Sequence, residues 1–80
     1  MPFRRVKFTF DTQHIQRPLI YELGHKFDLV TNIRRAAVES DSGWVILEIE
    51  GLIVEIERGI AWVIDQGCEV TSLEGDIIAG

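Results

Sequence analysis

The sequence predicts an α+β domain in which two helices cover one face of a single antiparallel sheet. Three observations carry the prediction. Some segments place apolar residues at every second position, as strands do. Others place them at helical spacing. The segments follow one another as strand, helix, strand, strand, helix, strand. The chain has 80 residues, 46% hydrophobic and 26% charged. That composition suits one small packed domain and excludes a disordered one.

Arg4–Phe10 alternates cleanly, with Val6, Phe8 and Phe10 pointing one way and Arg5, Lys7 and Thr9 the other. Asp11–Gln16 is polar and reads as a loop. Pro18 suits the first turn of a helix, where its missing N–H is not needed. Leu19, Ile20, Leu23 and Phe27 then form an amphipathic stripe, and this helix is expected to end near Asp28. Leu29–Glu39 reads as a long second strand whose imperfect alternation leaves room for a bulge. Ser40–Gly43 is a compact turn. Trp44–Glu50 alternates again, with Val45, Leu47 and Ile49 on one face and Trp44, Ile46 and Glu48 on the other. Leu52–Gln66 is a second helix, with Ile53, Ile56, Ile60, Val63 and Ile64 facing inward. Gly67 is placed to cap it in the left-handed conformation. Cys68–Leu73 is a short last strand and Glu74–Gly80 a tail without pattern.

With right-handed crossovers this order gives the ferredoxin-like plait, β-α-β-β-α-β. It forms one domain over residues 1–80, with a core of about residues 4–73. The second face of the sheet has no helix to cover it, yet it carries Trp44 and Ile46 beside Lys7 and Glu48. A chain this short buries only about 60–65% of its surface on folding, and pairing is a common remedy. A part-apolar open face points to a partner, against the alternative of a tolerated surface.

The net charge of −5 hides a split. Residues 1–35 carry seven bases and three acids; residues 36–80 carry one base and ten acids. Nucleic-acid binding needs a net basic face, so it is not expected. A basic edge meeting an acidic edge, within one chain or between two copies, is. No run of residues approaches the roughly 20 apolar residues of a membrane span, and the N-terminus lacks the apolar stretch of a secretion signal. A single cysteine, Cys68, allows no internal disulfide and reads as a buried, reduced thiol in a cytoplasmic protein. No cofactor is expected.

In the order of their spacing, several pieces together resemble the NIL domain. They are Val6-Lys7-Phe8-Thr9-Phe10, Pro18-Leu19-Ile20 with Leu23, and Phe27 leading to Thr31-Asn32-Ile33. After the Gly43 turn come Gly51, Ile60-Ala61-Trp62-Val63, Gly67 and Glu69-Val70. The resemblance covers about residues 4–73. That module is found at the C-terminus of methionine-importing ABC transporter ATPases, fused to small ferredoxins, and alone, which is the form expected here. The resemblance implies a regulatory role in which paired domains bind methionine near the dimer contact, with the motif asparagine as a ligand. Here the eponymous Asn-Ile-Leu stands as Asn32-Ile33-Arg34, so a charge replaces an apolar residue. That departure leaves the ligand open: L-methionine, a related amino acid, or none. No phosphate-binding loop and no cluster cysteines are present, so neither the ATPase nor the ferredoxin half of the fused relatives is expected.

Asn32, with two donors and an acceptor, is suited to holding both polar ends of an amino acid, or it caps a turn. Arg34 and Arg35, facing opposite sides of the strand, suit a carboxylate or act as edge charges that deter aggregation. With Ile33 these residues make the expected ligand site. Ala36 and Ala37 permit close approach of a partner strand, and Trp44 and Ile46 are expected in the dimer face. Trp62 is rotated away from the core stripe and marks a further contact, or else it lies on Arg58 as a cation–π pair. His14 and His25 lack further ligands at useful spacing, so no metal is expected. Glu48 and Glu50 read as a solvated face. An acylphosphatase-like role for Arg17 and Asn32 lacks the glycine-rich anion loop, and no enzyme activity is expected. Two readings result: a homodimeric amino-acid sensor, or an interaction module docking on a transporter or ferredoxin partner without a ligand of its own.

Overall fold

The computed structural model describes residues 2–11 and 18–73. The expected loop beyond Asp11, with His14 and Arg17, and the expected tail 74–80 lie outside the described residues. The elements are β1 (Phe3–Phe10), α1 (Leu19–Lys26), β2 (Val30–Val38), β3 (Gly43–Glu50), α2 (Ile53–Asp65) and β4 (Glu69–Ser72). The sheet order is β2-β3-β1-β4, and every neighbouring pair is antiparallel. This is the ferredoxin-like α+β plait. Both helices lie on one face, and among the described residues no helix covers the other.

Alternation in β1 and β3 settles which side is the core. Val6, Phe8, Val45, Leu47 and Ile49 are buried and meet Leu19, Leu23 and Phe27 from the first helical segment and Ile56 and Val63 from α2. The stripe of α1 is as expected, but the helix stops at Lys26. Phe27 leaves it in an extended conformation (φ −118°, ψ 155°), and the aromatic ring drops into the core. In α2 only part of the expected stripe is inside. Ile53 and Ile64 are 42% and 53% exposed, because a sheet of four narrow strands cannot cover the ends of a thirteen-residue helix.

Two glycines shape the connections. Gly67 has φ 101° and ends α2 as expected. Gly51 is buried at the exit of β3, and a Cβ there would stand 2.9 Å from the Asp28 carbonyl oxygen. Side chains are therefore excluded where β3 passes the turn before β2. Among the described residues no helix is long and apolar enough to cross a membrane.

Candidate functional site

β2 is an edge strand, bonded only to β3, and it contains the expected bulge. Near the turn, Val38 pairs with Gly43, Ala37 with Trp44, Ala36 with Val45 and Arg35 with Ile46. Beyond Arg34 the register slips by one, so that Ile33 pairs with Leu47 and Asn32 with Glu48. Were Arg34 paired in regular register, Asn32 would stand opposite Ile49 and face the core, because a one-residue slip exchanges the faces of a strand. The bulge at Arg34 thus turns Asn32 onto the open face of the sheet.

Beside Asn32 on that face are Glu48, Glu50, Val30 and Phe3. Together these residues line a concavity of about 220 Å³. Glu48 accepts a 2.6 Å hydrogen bond from the Arg5 guanidinium. That bond, helped by the charges of Arg34 and Arg5 and opposed by desolvation, holds the Glu48 carboxyl below its ordinary pKa. The carboxylate is therefore ionised at neutral pH and supplies negative charge next to the Asn32 amide. Farther along the same face, the Lys7 ammonium lies 5.2 Å from the centre of the Trp44 ring, and Ile46 stands half-buried between Lys7 and Arg35.

The expected site residues do not all share one face. Asn32, Arg35, Ala37, Trp44 and Ile46 belong to the open side by register. Arg34 sits in the bulge, near enough to Glu48 to lower its pKa. The expectation that Arg34 and Arg35 point to opposite sides fails here, because the bulge interrupts the alternation it assumed. Ile33 and Ala36 turn to the helix side. There they line, among the described residues, an apolar groove of about 340 Å³ with Leu19, Ile20 and Val38. No charged side chain is among the described residues that line this groove.

Trp62 is not rotated away from the core. The residue is half-buried, packs against the core, and meets the Phe27 ring edge-on at 6.0 Å. The Arg58 guanidinium lies 5.6 Å from the centre of the Phe27 ring and donates a 2.9 Å hydrogen bond to Glu55. His25 stacks edge-on with Tyr21 at 4.4 Å. Among the described residues no cluster of three or more His, Cys, Asp or Glu is placed to hold a metal ion.

Glu48 and Glu50 are the site residues that sequence reasoning passed over as solvated. The signal for them was the hairpin register, and it becomes readable only once the bulge is placed.

Residues 4–72 match the NIL domain family. A solved structure, the C-terminal domain of an ABC transporter ATP-binding protein from Enterococcus faecalis, superposes with a TM-score of 0.80. It is 13% identical, over 90% of this chain and 84% of that one, and so the likeness is one of fold. No curated protein matches.

Proposed function

The chain belongs to the NIL domain family, and from that membership we propose a non-catalytic regulatory domain that binds a free amino acid of the methionine type at a contact between two copies. The observation that carries this reading is the concavity around Asn32. It joins an amide, two carboxylates and two apolar side chains in about 220 Å³. A volume of about 30 Å³ per water makes that room for roughly seven waters, enough for a small free amino acid.

Each part of such a ligand has a matching group. Glu48 and Glu50 supply negative charge for the ammonium. The Asn32 amide donates to one oxygen of the carboxylate, and the Arg34 guanidinium in the bulge supplies positive charge for it. Val30 and Phe3 offer the apolar surface that a thioether needs. The apolar groove on the helix side offers no charged group among its described residues, and so it suits the polar end of an amino acid less well. We read the setting as cytoplasmic, where such a domain would report the internal level of its ligand to a transporter.

Calorimetric titration with L-methionine, comparing the unaltered chain with Asn32→Ala, tests the reading. The expected result is saturable heat that weakens by about tenfold or more in Asn32→Ala, the effect of losing about 1.4 kcal/mol of hydrogen bonding. No heat with L-methionine or related amino acids at millimolar concentration would contradict it.

The apolar groove favours a second reading, that of an interaction module docking on a transporter or ferredoxin partner. Its rim leaves Ile33 and Val38 54% and 69% exposed, as a site for an apolar segment of another protein would. Under that reading Val38→Lys abolishes co-purification with the partner and Asn32→Ala does not.

A further inference from the structure

Of the two edges of the sheet, β4 is four residues long and β2 is nine. No described strand lies along the outer side of β2, and most of its side chains are exposed. Edges of that length are usually protected. Here the protection is partial. Arg34 stands in the bulge and interrupts the ladder at that point, but from Arg35 to Val38 the register with β3 is regular.

Two further features converge on those four residues. On the helix side, Ala36 and Val38 line the apolar groove of about 340 Å³ together with Leu19 and Ile20 of α1. On the open side, Arg35 is exposed and makes no hydrogen bond or ion pair among the described residues. Its situation differs from that of Arg5, whose charge is met within the sheet by Glu48 at 2.6 Å.

We propose that the outer edge of Arg35–Val38 receives an extended segment of another protein as a fifth strand, one that alternates apolar with acidic residues. This rests on the docking reading above and adds how the segment binds and what side chains it carries. A strand laid about 4.8 Å from β2 repeats the alternation of its neighbour. Side chains on its helix side stand beside Ala36 and Val38 and enter the groove. The volume there equals about eleven waters, on the order of two branched aliphatic side chains. The side chains between them stand beside Arg35 and Ala37, where a carboxylate meets the unpaired guanidinium as a cross-strand pair. Main-chain bonds supply affinity and the alternate side chains supply specificity. The bulge sets the length, since regular pairing stops at Arg34. The guest segment spans four or five residues, about 15 Å.

Fluorescence anisotropy of a labelled, end-capped peptide, Val-Glu-Ile-Glu-Val, titrated with the full chain reads the contact. The expected dissociation constant is about 0.1 mM, weak as the small area implies. Two N-methylated versions of the peptide carry the methyl groups on alternate amides, one set along each edge. One version loses the donors that face β2 and is expected to bind about tenfold more weakly or worse, whereas the other binds as the parent does. Lysine in place of both glutamates also weakens binding by about tenfold or more. The exposed substitution Arg35→Glu reverses that preference. Equal effects of the two methylation patterns overturn strand addition, and docking in the groove then stands. A lysine peptide that binds as tightly as the glutamate peptide overturns the acidic partner. No binding of any of these peptides at about 1 mM overturns strand addition and groove docking together.

Discussion

At Arg34, β2 carries one residue more than its partner strand, and the side chains on either side of it change places. Asn32 owes its face to Arg34 standing outside the ladder. Deleting Arg34 should leave Ile33 opposite Leu47 and Asn32 opposite Glu48 in a regular ladder, so that only the Arg34 charge beside the concavity is lost. The expected result is a folded chain that keeps the Asn32 amide on the open face and binds an amino acid more weakly, read together by thermal melt and calorimetry. Glu48 gives a pH signature. Its carboxyl has a lowered pKa in the fold, so its contribution to stability is complete above the unfolded value near 4.5. That contribution is lost as the pH falls through the folded value. Melting temperatures taken from pH 7 down to about pH 3 should fall less steeply for Glu48→Gln than for the unaltered chain. Cys68 behaves in the opposite sense. Burial raises its thiol above the ordinary 9.0. The folded chain should therefore resist a disulfide thiol reagent at neutral pH and react fully in denaturant.

Among the elements, β1 and β3 were the most legible in the sequence, since strict alternation of Val6 and Phe8 and of Val45, Leu47 and Ile49 leaves one choice of buried face. α1 was legible in its stripe but not in its end, because Phe27 satisfies the helical spacing and the extended exit equally well. α2 was overread at both ends. Helical periodicity reports which residues share a side of a helix, not how far the sheet beneath extends, and Ile53 and Ile64 run past its cover. Trp62 shows the same gap from the other direction: a rotation angle does not reveal that Phe27 rises to meet it. The bulge in β2 was anticipated, but its position was not, and so the pairing of Asn32 with Glu48 stayed hidden. The fold was thus written in local pattern, whereas the candidate site depended on register, which is a property of two strands together. Two substitutions test the packing. Leu47 is wholly buried, and Leu47→Ala should cost about 2–5 kcal/mol in denaturant unfolding. Gly51→Ala should cost about 1–3 kcal/mol, because its Cβ would meet the Asp28 carbonyl, which is backbone and cannot swing aside.

For the whole molecule, the division between a basic first half and an acidic second half becomes a division between strands. The sheet order interleaves the halves, with β1 and β2 from the first and β3 and β4 from the second. Two strands of like charge are never adjacent around the centre, and opposite charges meet between neighbouring strands, as Arg5 and Glu48 do. On the proposed reading, an amino acid held at a contact between two copies would couple pairing to ligand. The most direct test is a titration of isotope-labelled chain with L-methionine followed by NMR. The account predicts that the side-chain amide of Asn32 and the methyl groups of Val30 shift first and saturate together. Shifts confined to the groove methyls of Leu19, Ile33 and Val38, or no shifts at all, would contradict it.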